Sequence, residues 1–456
     1  MSTSVELNLR FDAVSYYTPP GKISKVFLRQ RDVSLDAARL LKCYNSPMLK
    51  ARPEDFIVEE RADLPLRQRG EYRVYLLKKS GWNTVDLLSH LSRSFNLPFR
   101  RFSYGGKKDR HGLTSQFIAI QSSVAFSRRG DRFSLESAGF MDRPMGPDLI
   151  QGNAFAITIR NLEEVELISQ NLEEVRKSGF PNFFDDQRFR SYDPERGFFA
   201  EKILRRHWSG ALQAFLTSVR DDDGKREKDR KNAIFQSWKD WPSCLGMAKD
   251  PVEKGIFRHL VAHPKRLVEA LQFIPPGEIS MQYAAFQSHL WNEVLRRLIR
   301  NKVEHVEEVE GKEGGYLFWK KIQEGPRRDL LDLEIPTAAV KMGWTADFSR
   351  SIYEQILAEG ALRPGSFRTK ALHKAYFHSV LRRAVVIPDD VHVGESEEDE
   401  LHSGKKKLTL SFLLPRGAYG TMLIKRLSLN QAARKTRAQG LQLIGAIDRN
   451  SRQKIR

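Results

Sequence analysis

One acidic side chain, Asp109, lies in a stretch of glycines and bases that reads "FSYGGKKDRHG" from residue 102. Neighbouring positive charge lowers the pKa of a carboxylate, so Lys107, Lys108 and Arg110 are expected to keep Asp109 ionised. An ionised aspartate can act as a nucleophile or as a general base. An aspartate beside glycines is also typical of a turn, where it accepts hydrogen bonds from the backbone. Local features alone leave both interpretations open.

Two further stretches combine aromatic and polar side chains that could serve a ligand. The segment "GFPNFFDDQRFR" at 179–190 places Asn182, Gln187 and Arg188 among phenylalanines, a mixture that can stack on nucleobases and hydrogen-bond their edges. A buried aromatic turn after a helix would explain the same residues. The segment "ARPEDFIVEE" at 51–60 is more typical of a strand entrance than of a site.

Several familiar catalytic motifs do not occur in the chain. There is no H-E-x-x-H or C-x-x-C pattern, and Asp109 with His111 is only a weak metal-ligand pair. Gly105, Gly106 and Lys107 do not form a phosphate-binding G-x-x-x-x-G-K-[ST] loop, and no G-x-S-x-G elbow occurs. With these motifs absent, the remaining candidate for catalysis is the carboxylate of Asp109.

The segments around Asp109 have the periodicity of strands and helices. Residues 71–80 alternate like a strand, and residues 115–121 and 152–162 are further sheet candidates. Asn83 or Thr84 can cap a helix whose apolar residues share one face, which predicts a helix between the first two strands. The Asp109 loop then leads directly into a strand.

The chain from about 216 to 386 is more helical than its two flanks. Residues 281–300 carry apolar side chains at helical spacing, and strict alternation returns after residue 408. The charged run at 221–232 is typical of a solvated loop or helix edge, and the run at 394–407 predicts an exposed loop. One domain interrupted by a second would give this order, and two consecutive domains would also fit it.

Length, charge and cysteine content indicate the number of domains, the kind of partner and the compartment of the protein. Two domains are expected for 456 residues, and 76 lysines and arginines against 57 acidic residues give a net charge of +19 that favours nucleic acid as a partner. Cys43 and Cys244 cannot build a cysteine zinc site or a disulfide framework. The chain shows no signal sequence and no membrane-spanning apolar run, so a cytoplasmic protein is expected. The basic segment from residue 430 is a candidate arm for phosphate contacts.

Six stretches, taken together and in order, resemble the TruD family of tRNA pseudouridine synthases. The Asp109 loop is similar to the family signature A-G-x-K-D-x-x-A-x-T-x-Q, with Gly105 and Gly112 at the two alanine positions. Ordered matches over most of a chain are far more specific than any single motif. The other five stretches, which lie between residues 49 and 427, are "LKARPEDFIVEE", "GNAFAITIR", "GFPNFFDDQRF", "AAFQSHLWN" and "LPRGAYGTMLIKRL".

The resemblance implies an α+β fold, in which a pseudouridine synthase catalytic domain is interrupted by an α/β insertion domain. The catalytic domain would have an antiparallel-rich mixed sheet flanked by helices and would comprise residues 1–215 and 387–456, with the insertion at 216–386. The implied activity is isomerisation of uridine in tRNA, at position 13, by a monomeric enzyme without cofactor or metal.

The resemblance also implies roles for single residues. Asp109 would be the catalytic aspartate, which attacks the ribose at C1′ or removes a proton from C2′. A flipped-out uridine needs an aromatic floor and hydrogen-bond donors, and a nearby cation would stabilise negative charge on the uracil. The residues that would form this pocket are Lys50, Phe56, Asn182, Phe184 and Tyr419.

Four basic residues are candidate RNA contacts: Lys107, Lys108, Arg110 and Arg188. The first three could instead fix the Asp109 loop. A non-catalytic RNA-binding or tRNA-chaperone protein on the same scaffold is the alternative function, and a metal-dependent nuclease is a third.

Apart from Gly105 and Gly112, the departures from the family pattern lie outside the Asp109 loop. Asp185 and Arg190 stand where glycine is common. Arg426 stands where glutamate is typical, which removes an expected ion-pair partner of Lys425. These changes bear on substrate identity more than on activity.

Overall fold

The computed structural model describes residues 49–429 except 123, 127, 221, 370, 373 and 374. Cys43 and the basic segment from residue 430, both considered above, lie outside the described residues.

The described part of the chain contains fifteen strands, which we number along the sequence. They are β1 (Phe56–Ala62), β2 (Tyr72–Lys79), β3 (Phe102–Tyr104), β4 (Leu113–Gln121), β5 (Arg128–Gly130), β6 (Phe133–Met141), β7 (Ile150–Leu162), β8 (Phe180–Pro181), β9 (Glu307–Val309), β10 (Tyr316–Phe318), β11 (Glu334–Pro336), β12 (Leu381–Arg383), β13 (Val385–Val386), β14 (Asp389–Glu398) and β15 (Lys406–Pro415).

Nine of these strands form one large mixed sheet in the order β14-β15-β7-β1-β4-β2-β6-β5, with β3 paired to β4. The pair β1 and β4 is parallel and the other neighbours are antiparallel. The register places Ile57 beside Leu113, and Lys79 beside Thr114. The start of β1, the start of β4 and the end of β2 therefore lie side by side, at the same end of these three neighbouring strands.

Twelve α-helices accompany the strands in the described residues. They are α1 (Thr84–Ser94), α2 (Val165–Ser178), α3 (Phe199–Leu204), α4 (Trp208–Thr217), α5 (Lys225–Gln236), α6 (Trp241–Met247), α7 (Pro251–Ala262), α8 (Leu267–Leu271), α9 (Pro276–Lys302), α10 (Glu324–Leu331), α11 (Asp347–Glu359) and α12 (Gly420–Leu427).

Helix α1 begins after Asn83, and its apolar spacing matches the burial that the structure shows. Leu87, Leu88 and Leu91 are fully buried against the sheet, where they form a small core with residues of β2 and β4. The helix predicted between the strands at 71–80 and 115–121 is thus present. It covers the part of the sheet that leads into the Asp109 loop.

A second, much larger core joins the middle of the sheet to the helical half of the chain. Ile157 and Leu410 of β7 and β15 belong to it, together with Trp291 of the long helix α9. An antiparallel-rich mixed sheet flanked by helices is therefore confirmed as the fold class. Within the described residues no helix is both long and apolar enough to cross a membrane.

The chain leaves the sheet after β7 and returns to it with β14 and β15, which pair with each other and, through β15, with β7. The residues between are mostly helical. This order is the one expected for an interrupted domain, and the exact boundaries at 216 and 386 stay a prediction.

The loop predicted at 394–407 is wrong for half of its residues. Residues up to Glu398 and from Lys406 lie in the hairpin of β14 and β15. The register sets Glu398 opposite Lys406 and Glu397 opposite Lys407, so the charges that suggested a loop pair across the two strands. Opposite charges on facing positions stabilise a hairpin.

Candidate active site

Asp109 lies in the loop between β3 and β4, with its side chain only 16% exposed. Its Oδ1 accepts a hydrogen bond from the backbone N–H of His111 at 3.1 Å. Its Oδ2 accepts from Nζ of Lys50 and from Nε2 of Gln187, the latter at 3.1 Å. One oxygen thus makes the turn contact expected of an aspartate beside glycines, and the other faces a lysine and an amide from distant segments.

The charge state of Asp109 follows from these contacts. Burial alone would raise the pKa of its carboxyl, but the charge and hydrogen bond of Lys50, with the backbone N–H of His111, outweigh burial and hold the pKa below its usual range. Asp109 is therefore an ionised carboxylate at neutral pH, as a nucleophile or base requires.

The loop that carries Asp109 is tied to the sheet by buried polar side chains. Nζ of Lys79, at the end of β2, donates to the carbonyl oxygens of Asp109 and Trp82, each at 2.8 Å. Thr84 accepts from the backbone N–H of Lys108 at 3.0 Å and donates to Gln116 at 2.8 Å. Gln116 in turn donates to the carbonyl of Gly106 at 3.0 Å.

The three basic residues next to Asp109 have different surroundings. The Lys108 side chain is 9% exposed, and its Nζ lies 2.8 Å from a carboxylate oxygen of Glu60 and hydrogen-bonds Asn153. This contact favours the loop-fixing role for Lys108 over an RNA contact. Lys107 and Arg110 are exposed, and Arg110 also donates to the carbonyl of Gly81 at 3.2 Å.

An aromatic wall stands beside the carboxylate. Nζ of Lys50 lies 4.0 Å from the ring centroid of Phe56, which packs edge-on against Phe155. Gly112 allows this close approach of the loop to β1, because a Cβ there would lie 2.3 Å from the carbonyl oxygen of Phe56. Lys50 thus contacts both Phe56 and Asp109, which come from different segments of the chain.

A second group of predicted residues lies on the segment after α2. Phe184 contacts Tyr419, the residue before α12, with ring centroids 6.3 Å apart. Asn182 is buried next to Phe184 and accepts a hydrogen bond from Arg382 at 2.7 Å. The same segment reaches Asp109 through Gln187. The two groups of residues therefore belong to one continuous site.

Arg188 is exposed, and its guanidinium lies 5.3 Å from the ring centroid of Phe184. A basic side chain at the rim of the aromatic group is well placed for an RNA contact.

The departures noted in the sequence have separate partners in the structure. Nζ of Lys425 lies 2.6 Å from Asp185 and 2.9 Å from Asp186. Asp185 and Asp186 thus pair with Lys425 in place of the glutamate that is typical at position 426. Arg426 is buried and instead donates to the side chain of Asn171 at 3.2 Å.

Sequence reasoning missed two side chains of this site: Lys79, which holds the backbone of Asp109, and Arg382, which contacts Asn182. It named Gln187 but not the contact of Gln187 with Asp109. A signal existed for Lys79, since it continues the inward-facing series Tyr75 and Leu77 of β2, where a lysine is out of place. Arg382 is separated from Asn182 by 200 residues, and no local pattern joins them.

The architecture matches that of a solved structure. Over 85% of this chain and 94% of the other, with a TM-score of 0.61 and 23% identity, it resembles the putative tRNA pseudouridine synthase D from Methanosarcina mazei. This likeness defines the fold class.

The sequence comparisons go further than the fold. A family model described as tRNA pseudouridine synthase D (TruD) matches residues 46–427. The tRNA pseudouridine synthase D of Leptospira interrogans is 31% identical over 84% of this chain and 96% of its own length. A probable tRNA pseudouridine synthase D of Methanocaldococcus jannaschii is 32% identical over 87% of this chain and 95% of its own. The chain belongs to the TruD family, as the sequence predicted, and is thus an enzyme of the pseudouridine synthase class.

Proposed function

We propose that this protein isomerises uridine to pseudouridine in tRNA, at position 13, with Asp109 as the reacting carboxylate. The observation that carries the proposal is the ionised, largely buried carboxylate of Asp109, in contact with Lys50 next to the Phe56 ring and joined by Gln187 to the Phe184 segment. The activity named for the relatives supports it.

The chemistry needs one carboxylate and a closed pocket. The bond between N1 of uracil and C1′ of ribose breaks, and the uracil turns without leaving. Its C5 then bonds to C1′, C5 loses its proton, N1 gains one, and Asp109 is set free as a carboxylate, either when its ester bond to C1′ breaks or when it returns the proton to C2′. Asp109 can attack C1′ and form an ester, or it can remove the C2′ proton so that a C1′–C2′ double bond forms. In both routes the electrons of the broken bond leave with the uracil, which becomes an anion.

In both routes Lys50 stabilises negative charge before and after the bond between uracil and ribose breaks. While Asp109 is a carboxylate, the ammonium of Lys50 holds it ionised. Once Asp109 is esterified or protonated, its negative charge has passed to the uracil, and the same ammonium stabilises that anion. The cation needs no movement beyond its position over Phe56, so the site stays electrically balanced.

The uridine must leave the RNA stack to reach Asp109, at a cost of about a few kcal/mol. In our proposal Phe56, Phe184 and Tyr419 stack on or enclose the base, and Asn182 hydrogen-bonds it. Lys107, Arg110 and Arg188 are exposed near these residues and contact RNA phosphates. Such contacts draw on the net positive charge of the chain.

A non-catalytic RNA-binding role is the second candidate function. A binding protein has no use for a buried ionised carboxylate beside a lysine, because a negative charge repels RNA phosphates. The Asp109 geometry therefore favours the enzyme. For the metal-dependent alternative, the described residues offer no group of three His, Cys, Asp or Glu side chains that could hold a metal ion.

The test is to map pseudouridine in unmodified tRNA transcripts after incubation with the purified protein. We expect one new pseudouridine, at position 13, and none in transcripts that carry cytidine there. Modification at another position would correct the target. Tight binding of tRNA without any pseudouridine would overturn the enzymatic proposal in favour of the binding protein.

A further inference from the structure

Arg382, in β12, is a buried arginine next to the aromatic residues of the candidate site. Its guanidinium lies 4.2 Å from the ring centroid of Phe184, 5.1 Å from that of Trp291 and 5.7 Å from that of Tyr419. Among the described residues it makes no ion pair with a carboxylate. A buried charge without a counter-ion costs stability unless hydrogen bonds compensate it, so Arg382 depends on its hydrogen bonds.

Most hydrogen bonds of Arg382 go to Asn182, and a weaker one goes to the carbonyl of Phe183 at 3.4 Å. Nη2 of Arg382 donates to the side-chain Oδ1 of Asn182 at 2.7 Å and to the backbone oxygen of the same residue at 2.6 Å, and its Nε donates to that backbone oxygen at 3.2 Å. Nη1 donates to the carbonyl of Gly417, two residues before Tyr419. Arg382 thus ties the Asn182 segment to the segment that carries Tyr419.

These contacts decide which way the amide of Asn182 is turned. An arginine can only donate hydrogen bonds, so the amide atom that faces it must be the oxygen. On the other side the amide faces the carbonyl of Arg383 at 3.0 Å, which can only accept, so that atom must be the nitrogen. Rotating the amide by half a turn would break both contacts.

With its orientation fixed in this way, the Asn182 amide can offer a ligand only a hydrogen-bond donor. Nδ2 carries two N–H donors, and the carbonyl of Arg383 takes one of them. The described contacts leave the second N–H without an acceptor, whereas Oδ1 is engaged by the arginine. Uracil presents carbonyl oxygens on both sides of N3, while cytosine presents an amino group in place of O4. A free N–H donor matches uracil at O4 and repels cytosine there.

We infer that Arg382 is a positioning residue that locks Asn182 as a hydrogen-bond donor and thereby makes the site selective for uridine over cytidine. This inference rests on the proposed function, in which Asn182 contacts the target base. Arg382 acts through Asn182 and need not touch the RNA itself.

The chain offers a matched control in Arg426. Like Arg382 it is buried, makes no ion pair within the described residues, and donates to an asparagine side chain and to a backbone carbonyl. Burial lowers the pKa of both arginines to about 10. Arg426 donates to Asn171, which is not part of the candidate site, so its substitution reports the general effect of losing a buried arginine.

The first experiment is a double-mutant cycle in single-turnover assays with excess enzyme. We expect Arg382→Met to slow pseudouridine formation about 100-fold, as expected for a misplaced contact group. Asn182→Ala should slow it similarly, and the double variant should be no slower than Asn182→Ala alone. Arg426→Met should keep the wild-type rate per folded molecule. Wild-type speed in Arg382→Met, or rate losses that multiply in the double variant, would overturn the inference.

The second experiment measures selectivity, which a merely structural role would not alter. tRNA transcripts with uridine or cytidine at the mapped target compete for binding to the wild type, Arg382→Met and Arg426→Met. A preference for uridine of about tenfold is expected for one added hydrogen bond, and Arg382→Met should lose it while Arg426→Met keeps it. An unchanged preference in Arg382→Met would contradict the inference.

Two outcomes keep this inference separate from the proposed function. If the wild type forms no pseudouridine, the proposed function fails before any variant is compared. If Arg382→Met does not fold, Arg382→Lys takes its place, because it keeps the charge but cannot hold both oxygens of Asn182 in the same way. Wild-type rate and selectivity in Arg382→Lys would then overturn the inference.

Discussion

At the scale of single residues, the site depends on contacts that fix an ionised aspartate. Asp109 makes a turn contact through one oxygen and faces Lys50 and Gln187 through the other. The turn interpretation and the catalytic interpretation therefore do not exclude each other. In the proposed function, a rigid turn would hold the reacting carboxylate in place.

Lys79 gives a prediction on pH. Burial lowers its pKa to about 8, an effect that Asp109 opposes and Lys108 strengthens. The charged form of Lys79 is therefore present below about pH 8 and lost above it. When Lys79 becomes neutral, it loses one N–H donor to the loop carbonyls and the positive charge near Asp109. We expect the single-turnover rate to be level between about pH 5 and 7, because the pKa of Asp109 lies below this range, and to fall as the pH rises through 8.

The variant Lys79→Met tests whether the fall of the single-turnover rate above pH 8 is due to Lys79. It should be slower than the wild type by roughly 100-fold at neutral pH, since the loop loses its anchor, and it should no longer show the decline above pH 8. Lys78→Met changes the neighbouring, exposed lysine and serves as the control. A wild-type pH profile in Lys79→Met would show that the loop does not need this lysine.

The sequence could supply the residues of the site but not all of their contacts. The prediction brought Asp109 and Phe56 together because a family pattern connects them. It could not give the contact of Gln187 with Asp109, which are 78 residues apart, or that of Arg382 with Asn182. Such contacts depend on how separate segments pack, and hydrophobic periodicity carries no information about them.

At the scale of secondary structure elements, the hairpin of β14 and β15 shows where composition misleads. Its glutamates and lysines are typical of a solvated loop, yet they face each other across the strands. The apolar alternation of β15 and the leucines of α1 were sufficient to predict those elements, because each has a buried face. β14 is almost entirely exposed and has no such face.

The turn of this hairpin is held by a buried carboxylate. Asp399 accepts hydrogen bonds from the backbone N–H groups of Asn161 at 2.8 Å and Leu401 at 3.0 Å, and Arg160 donates to it at 3.0 Å. Burial would raise its pKa, but these donors outweigh burial and lower it to about 2. The stabilisation is therefore present above the unfolded pKa of about 3.9 and is lost as the pH falls toward 2.

Asp399→Asn should therefore destabilise the protein at neutral pH. Arg160 keeps its ion pairs with Asp55 and Glu400, so the expected loss is that of hydrogen bonds to a charged group, about 1.5–3 kcal/mol. The difference from the wild type should narrow as the pH falls below about 4. Urea unfolding at several pH values measures this. Asp390→Asn, an exposed change in the same hairpin, should have little effect. Equal effects of the two substitutions would show that the Asp399 network does not hold the hairpin.

At the scale of the whole molecule, we expect the net charge of +19 to contribute to RNA binding through contacts with phosphates. Release of counterions makes such binding weaken as salt rises. The affinity for tRNA should fall about tenfold or more between 50 and 200 mM salt, as a few phosphate contacts would require. The rate with saturating enzyme should change much less, because the Asp109 ion pair is largely buried. Salt-independent binding would argue against phosphate contacts.

The domain boundaries and the monomeric state stay predictions at this scale. The return of β14 and β15 to the sheet fits an interrupted domain, and the sequence could indicate it only because strand patterns stand on both sides of a helical middle. Sedimentation of the purified protein would establish the oligomeric state.

The central claim is that the carboxylate of Asp109 reacts with uridine in tRNA. The most direct measurement is a single-turnover assay of Asp109→Asn with tRNA bound at saturation, next to Asp86→Asn, which changes an exposed aspartate of α1. We expect Asp109→Asn to bind tRNA about as tightly as the wild type and to form no pseudouridine, while Asp86→Asn remains fully active. Pseudouridine formation by Asp109→Asn at a rate near that of the wild type would contradict the account.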